Sequence, residues 1–166
     1  MLVSAIVVAY AVIQHRKLTK KTSTLQVILS DTSDERIVEA SSNVYKMITS
    51  NKNFYEVLIQ QSTEDKNEVE SLKIILNRYE FYATGINKGI LDGELLKTLY
   101  FSNVMVFWKH AKPCIMELRK EKDRKTLFQE FEKVMEDWER HNLKSYLITI
   151  FRLILSYLIA YAPLLE

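Results

Sequence analysis

Hydrophobic positions along this chain fall into three regimes. Residues 1–13 carry no charged side chain, and Arg16, Lys17, Lys20 and Lys21 follow almost at once. Between Thr22 and Lys144 apolar residues recur at steps of three and four, the period of helices that bury one face. From Ser145 to Leu165 the chain is apolar again, with Arg152 as its single charge. Three glycines and two prolines leave little punctuation for hairpins, so the pattern predicts an all-α chain.

Within the middle regime several helices can be placed. Thr32-Ser33-Asp34-Glu35 reads as a capping box, with Thr32 accepting from the N3 amide and Glu35 reaching back. It opens a helix with Ile37, Val38, Val44, Tyr45 and Ile48 among its apolar positions. Thr49 to Asn53 are poor helix formers and read as a loop, followed by a short apolar run from Phe54 to Ile59. Val69, Leu72, Leu76, Tyr79, Ala83 and Ile86 then step by three and four, a heptad seam of the kind that lines the inside of a helix bundle.

The seam stops where Gly85, Gly89 and Gly93 fall at four-residue intervals. Gly89 in the left-handed conformation would end one helix, and Asp92 would cap the next, giving a tight corner. A continuous helix packed through all three glycines is the rival. A DNA-reading helix–turn–helix fits poorly, because Glu94, Leu95, Leu96 and Lys97 do not make a basic face. Beyond the corner Val104, Phe107, Trp108, Ala111, Ile115 and Leu118 continue a stripe through Pro113, which should kink it near Lys109. Arg119 to Lys125 is a basic run suited to a solvated helix end or to anionic headgroups. Thr126 is placed to cap a last helix whose Phe128, Phe131, Val134, Met135 and Trp138 face one way.

The two ends raise the question of a membrane. Thirteen helical residues cover roughly 20 Å against a hydrocarbon core of about 30 Å. Snorkelling stems of Arg16 and Lys17 would lengthen that reach. A secretory signal peptide wants its bases before the apolar run, and here they come after it. By the positive-inside rule the basic cluster and everything after it would be cytoplasmic. At the other end Ser145, Thr149, Arg152 and Ser156 form one polar stripe on an apolar helix. That helix could span the membrane with the stripe against a partner, lie on the membrane, or pack in the body. Arg152 is the candidate contact for a partner protein or a second copy.

Composition narrows the chemistry. A single cysteine among 166 residues excludes a disulfide framework and a paired-thiolate zinc site, and a net charge of +2 does not argue for nucleic acid. His110 and Cys114 are four apart and could share a helix face, yet two ligands do not make a metal site. His141 follows Asp137 as an ordinary surface pair. Glu64, Asp65 and Glu68 mark an acidic helix start favoured by the macrodipole. Tyr79, Phe81, Tyr82, Tyr100, Phe101, Phe107 and Trp108 read as core, with a ligand pocket as the alternative. No phosphate-binding loop, nucleophile elbow or dinucleotide fingerprint occurs. Catalytic residues, cofactors and metals are therefore expected to be absent.

The run from Asn77 to Asp92 (NRYEFYATGINKGILD), with Glu94-Leu95-Leu96 and later Trp108, resembles the bacterial and phage domain-of-unknown-function family numbered 4760. A basic stretch followed by Thr24-Leu25-Gln26-Val27-Ile28 also belongs to that pattern. The resemblance implies a single N-terminal membrane helix followed by a small helical cytoplasmic domain, and it brings no activity and no catalytic residues. The apolar C-terminal stretch has no counterpart in it. The expected organisation is an anchor with basic flank over 1–21, a helical body over 22–144 and an apolar helix over 145–166. That describes a non-enzymatic interaction or regulatory module in a bacterial inner membrane, contacting lipid and a protein partner or itself, and no nucleic acid. The alternative is a soluble or interfacial helical effector whose terminal helices pack on its own body.

Overall fold

The structure, a computed structural model, describes residues 2–60, 66–121 and 123–141. The described residues form six helices and no strand: α1 (Leu2–Ser33), α2 (Glu35–Thr49), α3 (Phe54–Gln60), α4 (Lys66–Asn87), α5 (Gly93–Glu121) and α6 (129–141). The chain divides into two units, Met1–Val134 and Met135–Glu166. Of the second unit only the last turns of α6 are described.

The first unit is organised around α4. Its seam buries Val69, Leu72, Leu76 and Ala83, with Ile75 beside them, and α2 packs along it. Phe54 of α3 meets Phe107 of α5, with ring centroids 5.7 Å apart. Tyr79 stacks on Phe131 at 5.3 Å and tilts against Phe107 at 4.9 Å, while Trp108 presents an edge to Phe131 at 5.0 Å. Such pairs add roughly 0.5–1.5 kcal/mol each beyond area burial. Of the aromatic group read as core, Phe107 and Trp108 are buried, Tyr79, Tyr82, Tyr100 and Phe101 are partly buried, and Phe81 is half exposed.

Several local expectations are corrected. Thr32 does not cap α2: α1 runs through it to Ser33, and the hydroxyls of Thr32 and Ser33 both donate back to the Leu29 carbonyl. Those back-bonds leave the cap to Asp34, in extended conformation, whose carboxylate accepts from the Arg36 amide at 3.0 Å. The inner face of α2 is Ala40, Val44 and Met47, whereas Val38 and Tyr45 are exposed. Three-and-four spacing from Ala40 selects Val44 and Met47, and Tyr45 lies one step round the helix from it. The expected passage of α5 through Pro113 holds: the helix continues to Glu121 although the proline lacks the amide that would bond Lys109.

Thr126 does not cap α6 either. It lies in a turn, and the first carbonyl of α6 to accept a helical bond is that of Phe128, at φ 54°. Phenylalanine has no oxygen to offer the orphan amides. Glu80 of α4 provides them instead, accepting from Phe131 N at 2.8 Å and Glu130 N at 3.3 Å. These are the two amides that an N-cap side chain ordinarily satisfies. Asn87 reinforces the junction by donating to the Glu130 carboxylate at 2.7 Å.

At its other end α1 leaves the body. Every described side chain from Ser4 to Thr19 is exposed, including Ile6, Val7, Val8, Tyr10, Val12 and Ile13. The expected boundary between residues 21 and 22 lies inside this one helix. Among the described residues, no helix is long and apolar enough to cross a membrane. The apolar stretch 145–165 and its Arg152 lie outside the described residues.

Candidate functional site

The glycine corner forms as a Schellman turn. Gly89 has φ +68°, its amide donates to Ile86 O at 2.9 Å, and the Ile90 amide donates to Gly85 O at 2.9 Å. This is the double closure that satisfies the last carbonyls of a helix. Asp92 then caps α5, its carboxylate accepting from Leu95 N at 3.0 Å. The rival continuous helix is thereby excluded, and each glycine has its own reason. Gly89 needs the left-handed backbone. A Cβ on Gly85 would lie 2.6 Å from Cγ and Cδ1 of Leu91, so this glycine lets the turn fold onto the helix it ends. Gly93 opens α5, where a Cβ would sit 3.0 Å from Ile86 Cγ2.

Helix α1 docks on this corner. Thr24 is fully buried, donates to Lys20 O at 2.8 Å and accepts the Asp92 amide at 2.8 Å. The side chain of Lys20 lies over Gly89, with Nζ 3.2 Å from where a Cβ would stand. Ile28 and Asp31, four and seven residues on, are also buried. The Thr24–Ile28 segment and the Gly85–Asp92 corner, the two motifs on which the resemblance rests, therefore touch in the folded chain.

One turn further along, Asp31 pairs with Arg78 and accepts from the Tyr82 hydroxyl. The Arg78 guanidinium lies 4.9 Å above the Phe81 ring and 5.1 Å above Tyr82. Beside this cluster runs a depression of about 260 Å³ whose lining includes Ile37, Tyr79 and Tyr100. Burial pushes the Tyr79 hydroxyl up to about 12, and it pushes Tyr82 upward against the opposing effect of Arg78. Phenols held this firmly protonated can donate hydrogen bonds but cannot act as bases near neutral pH. Arg78 and Asp31 neutralise each other, so the cluster reads as a latch between α1 and α4. Asp31 belongs to no motif, and Arg78 lies in the Asn77–Asp92 run with no role assigned to it. The available signal was that Asp31 is the first acid in the chain and shares a helix face with Thr24 and Ile28.

The remaining candidates separate. Cys114 is buried and its thiol is pushed up to about 12 by that burial, while the His110 ring packs on Phe54 at 5.6 Å. Among the described residues no group of His, Cys, Asp and Glu could hold a metal ion. His141 sits 3.1 Å from Asp137, an exposed i,i+4 pair. Glu68 pairs with Lys52 at 2.7 Å, and Glu64 and Asp65 lie outside the described residues.

No curated protein and no solved structure matches the chain. A family model does, over residues 1–138, a span that takes in the α1 segment, the corner and Trp108. The chain belongs to the family described as Domain of unknown function (DUF4760).

Proposed function

We propose that this protein is a non-enzymatic, membrane-anchored helical module that works by contact with a protein partner or a second copy of itself. Its body would lie on the cytoplasmic side of a bacterial or phage-encoded system's plasma membrane. The observation that supports this reading is the first half of α1, which holds six large apolar side chains in solvent on all sides while its second half is locked into the body. An amphipathic helix would bury one face, and this segment has no polar face to leave in water. Twelve residues from Leu2 to Ile13 cover roughly 18 Å, more than one leaflet's hydrocarbon. Local thinning and snorkelling by Arg16 and Lys17 would extend the insertion. The competing picture, terminal helices folded onto the body, has exposed side chains from Ser4 to Thr19 against it. In this reading Arg152 meets the partner, since a guanidinium in an apolar helix requires a carboxylate, water or phosphate.

An alkaline-carbonate wash of membranes tests the anchor. The chain should stay in the pellet, and Val7→Asp/Val8→Asp should release it; wild-type protein in the supernatant would overturn the reading. Arg152→Leu should leave the pellet unchanged while reducing a crosslinked higher band.

A further inference from the structure

Residues 1–30 contain no acidic side chain, and their four Lys and Arg residues are not spread evenly round the helix. At about 100° per residue, Arg16, Lys17, Lys20 and Lys21 fall within an arc of about 140° whose middle is the direction of Thr24. Thr24, Ile28 and Asp31 are the positions that α1 buries against the body. All four bases therefore project on the body side, directly above the corner, while Leu18, Thr19, Thr22 and Ser23 on the other side carry no charge.

The corner completes that face. Lys20 reaches Gly89, and the turn between α4 and α5 presents exposed Lys88 and Ile90, the latter 61% exposed at the tip. Three acids lie close by among the described residues: Asp92, whose carboxylate is taken up in capping α5, Glu130, held by Lys133 and Asn87, and the exposed Glu94. Against them stand five cations. Along α1, Lys20 lies seven residues beyond Ile13, roughly 10 Å below the end of the apolar stretch. A headgroup layer is roughly 5–8 Å thick, so a modest tilt of α1 toward the body brings the turn into it.

We propose that the basic side of α1 and the Lys88–Gly89–Ile90 turn together form a docking face for an anionic bilayer, with Ile90 entering the headgroup layer. This rests on the anchored reading above and adds to it an orientation and a lipid class. Each base near an anionic surface contributes about 1 kcal/mol, whereas an apolar helix alone would not distinguish lipid charge.

The test uses the full chain with vesicles of phosphatidylcholine, alone or mixed with phosphatidylglycerol. Binding to the mixed vesicles should be at least about tenfold tighter, lost progressively with salt, and reduced to the level of the neutral vesicles by Lys17→Glu/Lys21→Glu. A polarity-sensitive dye on Ile90→Cys should shift to the blue with mixed vesicles; buried Cys114 will not compete for the label. The same dye on Tyr45→Cys should not shift. That residue is exposed on α2, whose Asn43 bonds Ser71 near the far end of α4, roughly 24 Å from the corner. Equal, salt-insensitive binding to both vesicles, or an unmoved dye at Ile90, would overturn this docking face and leave the anchor standing. No binding to either vesicle would overturn both.

Discussion

Thr24→Val is the sharpest perturbation of the joint between α1 and the corner. Valine keeps the shape of threonine and nearly its helix propensity, but it removes the oxygen that receives the Asp92 amide at 2.8 Å. Thr24 is fully buried, so water cannot replace that acceptor without opening the joint. An orphaned buried amide costs about 1–3 kcal/mol. For a chain of this size that lowers Tm by roughly 2–4 °C per kcal/mol. The Lys20 carbonyl loses its extra donor too, but it keeps its helical one, so the larger part of the loss should appear at Asp92. Thr24→Ser is the control. It retains both hydrogen bonds and gives up one buried methyl, about 1 kcal/mol. Amide hydrogen exchange separates the two. In Thr24→Val the Asp92 amide should exchange much faster than in the wild type, while Leu95 N, held by the Asp92 carboxylate, keeps its protection. In Thr24→Ser both should remain slow. An Asp92 amide equally protected in the valine variant would refute the argument, because the bond would then carry no weight in holding α1 to the corner.

Other substitutions follow from the same geometry. Among the glycines, Gly85→Ala should cost the most, about 1–3 kcal/mol in urea denaturation, because the new Cβ meets Leu91 at 2.6 Å. Gly89→Ala should cost about 1–2 kcal/mol for its positive φ. Gly93→Ala should stay near neutral, its gain in helix propensity of about 1 kcal/mol offset by the 3.0 Å approach to Ile86. Glu80→Leu should destabilise by about 1–2 kcal/mol and speed exchange at Glu130 and Phe131, with Glu80→Gln falling between. Cys114, with its thiol near 12, should resist thiol reagents at pH 8 until the protein unfolds; fast labelling of the native chain would contradict its burial. Tyr79 binds its proton more tightly folded than unfolded, so its contribution is complete below about pH 10 and lost as pH rises to about 12. Tyr79→Phe should flatten that alkaline decline.

The elements legible in the sequence were those fixed by neighbours within one or two turns. The α4 seam is a repeating choice of apolar side chains, and the Schellman turn is closed by Gly85, Ile86, Gly89 and Ile90 alone. The caps were less legible because a cap is a competition for orphan amides. Thr32 lost it to Asp34 when α1 continued one turn further than its hydroxyl pattern implied. Thr126 lost it to Glu80, 50 residues away from Glu130, and no local pattern marks a glutamate whose service is to another helix.

Long-range polar pairs obey the same rule and account for what holds α1. Thr24 with Asp92 and Asp31 with Arg78 join positions 68 and 47 residues apart. Nothing in the sequence pairs Thr24 with Asp92 or Asp31 with Arg78, and only packing converts them into latches. Both latches lie on one face of α1, and that face is also the one that carries the bases further up the helix. A free helix with that distribution would have no fixed rotation relative to the corner. Fixed by Thr24 and Asp31, it presents the basic arc above the corner and in no other direction. The rotational setting of α1 is therefore decided by two buried hydrogen-bonded side chains rather than by the apolar segment they support. A variant that loosens them should disturb orientation at a bilayer before it disturbs insertion.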